Sequence, residues 1–374
     1  MHYFDYNATT PLSDASREAW LAAVEQFPGN PSSPHRIGIR ADRALAEARE
    51  TLGARLGCLP LDLIWTSGAT EASNLVFHHY ARQLPESAVV WVSAIEHPCV
   101  IQAAETHLRG RVRRIPVTSD GVVRLEWLET QVNPPALVVV MAANNETGVL
   151  QPWEAIRDWC QERIIPFFCD AAQWLGKLPA DGLGQCDWLF GCAHKFGGPK
   201  GVGFLKCPTS ATVTPLMVGG PQEMSRRAGT ENVAGVLAMI AALEEREMLL
   251  NAEWIASRQQ SQRRIENLIR KQIPDARVIG RSAARLWNTT SLVMPDCDCR
   301  FRWVVKLDRL GFAVSTGSAC ASGKEKPSHV LEAMQCTPGE SSRVIRCSGG
   351  PETTEKDWEA LVEASVQVDR QARV

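Results

Sequence analysis

The chain has 374 residues, 45% of them hydrophobic and 22% charged, with 40 basic side chains against 42 acidic ones and a formal net charge of −2. That length predicts two or three domains and a core large enough to need no disulfide or structural metal. The near-neutral balance argues against a surface that holds nucleic acid or anionic membrane by bulk charge.

No run approaches the ~18 apolar residues of a membrane span. The opening Met1-His2-Tyr3-Phe4-Asp5-Tyr6 lacks the basic start and apolar stretch of a secretory signal, so a cytoplasmic location is expected. Twelve cysteines are scattered, mostly in apolar surroundings such as those of Cys58 and Cys169, where a free thiol behaves as a small hydrophobe. Cys297 and Cys299 form a C-x-C with no second ligand pair nearby, thin support for zinc, and no metal is expected. Only nine of the basic residues are lysines, none before Lys177, which leaves few candidates for amine chemistry.

Taken in chain order, Ser13 is placed to cap a helix that runs to Phe27, and strong helix formers predict a second helix from Arg40 to Leu56. Short apolar runs follow at 63–65, 88–92, 136–141, 166–169, 187–190 and 202–205. They are too short for helices and lack alternation, as strands buried on both faces do. Helices at 71–83, 100–108 and 154–162 lie between them, so residues 13–250 are expected to form a large α/β domain with a mostly parallel, seven-stranded sheet flanked by helices. A long amphipathic stretch, 233–272, ends at Pro274. Residues 1–12 with 251–374 are expected to form a smaller α+β domain: strands near 286–294 and 342–347, helices at 302–310, 327–334 and from 353, and a glycine-rich loop at 317–323.

In an open parallel sheet, ligands sit beyond the carboxyl ends of the strands. Ser67-Gly68-Ala69-Thr70-Glu71 opens a helix and suits a phosphate, although a plain strand–helix turn explains it about as well. His97 follows the second run, where it could stack on a ring or move protons, or simply serve its own loop. Asn144-Asn145 could orient a ligand. Asp170 directly follows an apolar strand, a costly place for a carboxylate without a partner; it fits a pyridinium nitrogen or a helix cap. His194-Lys195 follows the fifth run, and desolvation lowers a lysine's pKa and makes it a nucleophile. Lys200 is its local rival; Lys177, Lys206, Lys271, Lys306, Lys324, Lys326 and Lys356 read as solvated. The order of these groups matches what a phosphorylated pyridine aldehyde requires.

The sequence resembles the cysteine desulfurases, pyridoxal-phosphate enzymes of the class V aminotransferase group with the type I fold. The matching segments are Asp5–Pro11, Gly29–His35, Thr66–Glu71, Glu96-His97, Asn144–Gly148, Asp170–Gln173, His194-Lys195, Arg227–Asn232, Gly317–Cys320 and Ile345–Ser348, in family order. The Gly317-Ser318-Ala319-Cys320 loop resembles the NifS/IscS branch.

The resemblance implies that L-cysteine is converted to L-alanine, its sulfur passing as a persulfide to Cys320 for iron–sulfur cluster assembly or thio-modification. Lys195 would hold the pyridoxal 5'-phosphate and move protons, and His97 would stack on its ring. Asp170 would pair with the ring nitrogen and Gln173 with the ring hydroxyl. Ala69, Thr70, His194 and Thr230 of the other subunit of a homodimer would hold the phosphate. Asn145 and Arg346 would hold the substrate carboxylate, with Asn30 bordering the pocket. A sulfur-acceptor protein is the implied partner.

Three departures stand out: Cys192 where the family has a phosphate-contacting serine, Gly219–Ser225 in place of a more glycine-rich stretch bearing arginine, and Gly349–Glu352 in place of a run with a basic residue. Selenocysteine lyase-type or other lyase chemistry, and a degenerate non-catalytic paralogue, are the alternatives.

Overall fold

The computed structural model describes residues 1–296, 302–316 and 328–372. Seven strands form one sheet in the spatial order Leu63–Thr66, Gly203–Lys206, Trp188–Cys192, Phe167–Asp170, Leu137–Val139, Val90–Ser93 and Val112–Ile115. Six run the same way; Gly203–Lys206 runs against both of its neighbours.

The apolar runs lack alternation because each strand feeds two cores. Successive side chains point to opposite faces of a sheet, so Phe167 and Cys169 join one cluster and Phe168 the other. On the first face lie Leu45 and Leu52 of helix Arg36–Leu56, Ile156 of helix Trp153–Glu162, and Met239 and Leu243 of helix Val233–Leu249. On the second lie Leu75 and Phe77 of helix Ala69–Gln83 and Val100 of helix Pro98–His107.

Several expectations shift in detail. The helix expected from Arg40 begins at Arg36, because the His35 ring accepts a hydrogen bond from the Gly38 N–H and caps it. The expected continuous stretch 233–272 is two helices, Val233–Leu249 and Ala252–Gln272, with Asn251 capping the second through its bond from the Trp254 N–H. The edge strand Val112–Ile115 carries Arg113 and Arg114 and so shows no apolar run; charge on an edge blocks pairing with other chains.

Three further strands form an antiparallel sheet, Val344–Ser348, Thr289–Val293 and Arg277–Val278. Its core includes Ile265 and Ile269 of helix Ala252–Gln272, Leu361 and Val362 of helix Glu355–Ala372, and Phe4 from the start of the chain. His2–Tyr3 pairs in parallel with Phe312–Ala313, and Asp5 bridges to Ser348. The first residues are thus stitched to the last quarter of the chain, which carries Asp5–Thr9 across to the large sheet.

The two loop departures are anchored. At Gly349–Glu352, Arg258 donates to the Pro351 and Thr353 carbonyls (2.6 and 2.9 Å), and buried Arg246 pairs with Glu352 at 2.8 Å. In the second, Glu223, Met224 and Ser225 take φ of 49, 57 and 62°, left-handed backbone without a glycine. The buried Glu223 carboxylate secures the turn by accepting both Arg49 Nη groups (2.9 and 2.8 Å) and the Trp65 N–H (3.0 Å).

Candidate active site at the strand ends

A cavity of about 450 Å³ opens beyond the carboxyl ends of the parallel strands. Five connections converge on it. Ala69 and Thr70 come from the turn after Leu63–Thr66, His97 from beyond Val90–Ser93, and Asn145 from beyond Leu137–Val139. Asp170 and Gln173 come from the end of Phe167–Asp170, and Cys192, His194 and Lys195 from the end of Trp188–Cys192.

Helix Ala69–Gln83 starts at the cavity wall. Its N-cap, Gly68, has φ of 140° and supplies no side-chain bond to the first turn; the Ala69 N–H bonds the Cys192 thiol, and the helix N-terminus still favours an anion at the cavity wall. Glycine is required on both sides here, since a Cβ on Gly203 would lie 2.7 Å from the Gly68 Cα. Glu71 steadies the turn: it accepts the Ser67 N–H (2.8 Å) and pairs with Arg227 (2.8 Å). Burial alone would raise the Glu71 carboxyl, but hydrogen bonds from Arg227 and Ser67 outweigh it and hold it low.

Asp170 is buried, and desolvation pushes its carboxyl up to about 6 despite the Ala172 N–H and the Lys195 charge. Its Oδ1 accepts that N–H at 2.8 Å, so the capping role and the cavity position coexist. A cation or protonated ring nitrogen beside it would offset the cost of burying the charge. His97 also serves both purposes. Its Nδ1 accepts the Cys99 N–H at 3.1 Å, capping helix Pro98–His107. Burial, then Lys195 and His329, pull its pKa down to about 4. With Nδ1 occupied as an acceptor, the neutral ring carries its proton on Nε2.

Lys195 is partly buried; its Nζ donates to the Asn7 and Ala8 carbonyls at 2.7 and 3.0 Å. Desolvation, with Arg346 adding to it, lowers its pKa, while Cys192, Asp170 and Asp5 act the other way. That favours the free amine a carbonyl-attacking lysine needs. His194 is likewise pulled down to about 4, by burial and then by Lys195. The Cys192 thiol is pushed by burial up to about 12, so it lines the cavity as a protonated, weak hydrogen-bonding group.

Three expected residues do not line this cavity. Arg346 is fully buried behind it, donating to the Asn145 carbonyl (2.9 Å) and to Asp5 (2.5 Å). Thr230 and Asn30 are exposed. Cys320, Cys297 and Cys299 lie outside the described residues. Two lysines read as solvated are buried: Lys206 Nζ donates to the Cys186 carbonyl at 2.7 Å, and Lys177 Nζ to Gln173. Each fills its carbon stem into the core and ends on an oxygen, which lysine's usual exposure gives no sequence signal for.

The sequence also left Thr9, Cys99 and Met141 unassigned, although all three line the cavity. Cys99 Sγ lies 3.0 Å from His97 Nδ1. Its thiol is pushed by burial up to about 12 and is no nucleophile.

The fold, with a cavity at its strand ends, is that of an α/β enzyme. The family model of the class-V aminotransferases matches residues 2–361, and the chain belongs to that family. Among curated proteins it is 37% identical to a cysteine desulfurase of Klebsiella pneumoniae, over 96% of this chain and 90% of that one. A solved NifS-like protein superposes with a TM-score of 0.89 at 30% identity, covering 99% of both chains. SspA, solved in complex with cysteine, gives 0.82 at 30% identity over 95% of this chain and 100% of that one.

Proposed function

We propose that the protein is a pyridoxal-phosphate-dependent cysteine desulfurase that takes sulfur from L-cysteine, leaves L-alanine, and carries the sulfur as a persulfide on Cys320. The observation that carries this reading is Lys195: a desolvated amine held on two backbone carbonyls in the same cavity as buried Asp170.

The residues fit the cofactor by the chemistry of the donor set. The helix N-terminus at Ala69, the Thr70 hydroxyl and His194 suit its phosphate; Asp170 suits the ring nitrogen and Gln173 the ring hydroxyl; His97 suits the ring face; Lys195 suits the aldehyde. When bound, the group supplies an electron sink for bonds at the substrate's α and β carbons. Asp170 keeps the ring nitrogen protonated, Lys195 moves the proton at the substrate α carbon, and His97 Nε2 donates or recovers a proton as the sulfur departs. Asn145 orients the substrate carboxylate from the cavity wall, backed by Arg346, which donates to the Asn145 carbonyl and pairs with Asp5 behind it. Overall, the substrate's C–S bond breaks, an S–S bond forms to the Cys320 sulfur, and protons balance at carbon and sulfur.

The reading includes a homodimer, supported by exposed Thr230, three residues from the Arg227–Glu71 pair that braces the phosphate turn. It also takes 13–250 and 1–12 with 251–374 as the two domains, supported by Phe4 in the C-terminal core. A sulfur-acceptor protein and a cytoplasmic setting complete it. Among the described residues no helix is long and apolar enough to cross a membrane.

The test is to incubate the purified, cofactor-loaded protein with cysteine and a reductant, assaying alanine and sulfide. Wild type is expected to form both and Cys320→Ala neither. Alanine from cysteine at the wild-type rate in Cys320→Ala overturns the persulfide route, and alanine from selenocysteine alone favours the lyase reading.

A further inference from the structure

Lys177 is buried, 4% exposed, beyond the turn Ala171–Gly176, and among the described residues no carboxylate pairs with it. A buried lysine without a counter-ion is costly. Its backbone is fixed: the N–H bonds to the Trp174 carbonyl (3.0 Å) and the carbonyl accepts from Trp287 Nε1 (2.8 Å). Gly176, at φ of 70°, sets the turn against Phe196, whose Cβ would lie 2.3 Å from an added Cβ. From that anchored position the side chain turns back four residues, and Nζ donates to Gln173 Oε1. The other end of the same amide, Nε2, donates to the Asn7 carbonyl at 2.9 Å. Asn7 O also accepts Lys195 Nζ at 2.7 Å. A continuous polar chain therefore runs Lys177 Nζ, Gln173 amide, Asn7 carbonyl, Lys195 Nζ.

We propose that Lys177 is a positioning residue for the active site: by donating to Gln173 Oε1, it fixes the amide so that Nε2 is the end offered to the cavity. A flipped amide would set NH₂ against the Lys177 donor and a carbonyl oxygen against the Asn7 carbonyl, two mismatches at once. One Nε2 hydrogen is spent on Asn7; the second is the donor Gln173 has left for the cofactor's ring oxygen. The inference rests on the proposed contact between Gln173 and that oxygen. The titratable and charged groups facing Lys177 are Lys195, Arg346 and the protonated Cys192 thiol. Burial above all, with Lys195 and Arg346 adding to it, presses its amine well below its ordinary value; a neutral amine still donates N–H.

The prediction concerns the bound cofactor's electronic state. A donor on the ring oxygen draws off its negative charge and loosens the neighbouring nitrogen's hold on a proton. Losing the donor therefore raises the pH midpoint of the cofactor's visible absorbance change, by roughly 0.5–1 unit for one hydrogen bond. The experiment titrates that absorbance in cofactor-loaded wild type, Gln173→Leu, Lys177→Met and the double variant, with Lys177→Leu as a second packing solution. Expected are an upward shift in Gln173→Leu, a similar shift in both Lys177 variants, and no further shift in the double variant. A shift in Gln173→Leu without one in the Lys177 variants overturns the proposal. Additive shifts in the double variant overturn it too, since Lys177 would then act on the cofactor by its own charge. No shift in Gln173→Leu overturns the contact on which the inference rests, and the inference with it.

Discussion

The floor of the cavity and its surround are built differently. Asp170, Cys192, His194 and Lys195 sit at or just past the ends of adjacent strands, so the sheet's register alone brings them together. Arg346 belongs to the three-stranded sheet, reaches Asn145 from behind, and depends on Asp5 at the far end of the chain. Thr230 stands exposed in its own chain. The floor is thus preorganised by local chain geometry. The surround relies on how separate elements dock.

The sharpest way to break this contrast is at Lys195. Lys195→Ala is expected to abolish alanine formation and any borohydride-trapped cofactor adduct, mapped by protease digestion; an adduct on Lys177 or Lys200 instead would overturn the assignment of the floor. Asp170→Asn, which keeps the shape and removes the charge, should lower kcat/KM by roughly 10²–10³-fold, the scale of losing one preorganised electrostatic group. In the surround, Glu223→Ala strands Arg49 beside Trp65 and should destabilise the chain by roughly 3–5 kcal/mol in urea unfolding. Its effect on turnover by folded protein should be small. Arg346→Lys keeps the charge and loses the two-pronged grip; a KM for cysteine raised about tenfold (some 1.4 kcal/mol) with a smaller change in kcat is expected.

The smallest effect concerns pH. Glu96 is fully buried; Oε1 accepts the Met141 N–H at 2.7 Å, and Oε2 has no partner among the described residues. Burial, then Asp170, pushes its carboxyl from 4.5 up to about 8. The folded chain therefore keeps a proton that the unfolded chain releases in that window. The stability tied to this group is full below pH 4.5 and is lost as pH rises toward 8. Glu96→Gln should flatten that slope in denaturation of the cofactor-free protein, and an unchanged slope would remove Glu96 as its source.

The floor was legible because strand ends can be read from apolar runs, and the polar residue after each run had few places to go. His97 and Asp170 show the limit of single-residue reading: each has a local capping bond and a cavity position, and the sequence offered these as alternatives. The edge strand Val112–Ile115 escaped notice because its arginines mask its hydrogen bonding. The break at Asn251 escaped because both helices share one amphipathic rhythm.

By itself the sequence determined the layered α/β plan and the order of chemical groups along the strand ends, since periodicity and spacing are local properties of the chain, and its motif segments carried the family resemblance. Tertiary structure alone decided the environments. It put Lys177 and Lys206 in the core, Asn7 on Lys195, and Arg346 behind Asn145. The last two depend on contacts between residues more than a hundred positions apart. Desolvation, which sets how each of these groups behaves, exists only once such contacts have closed.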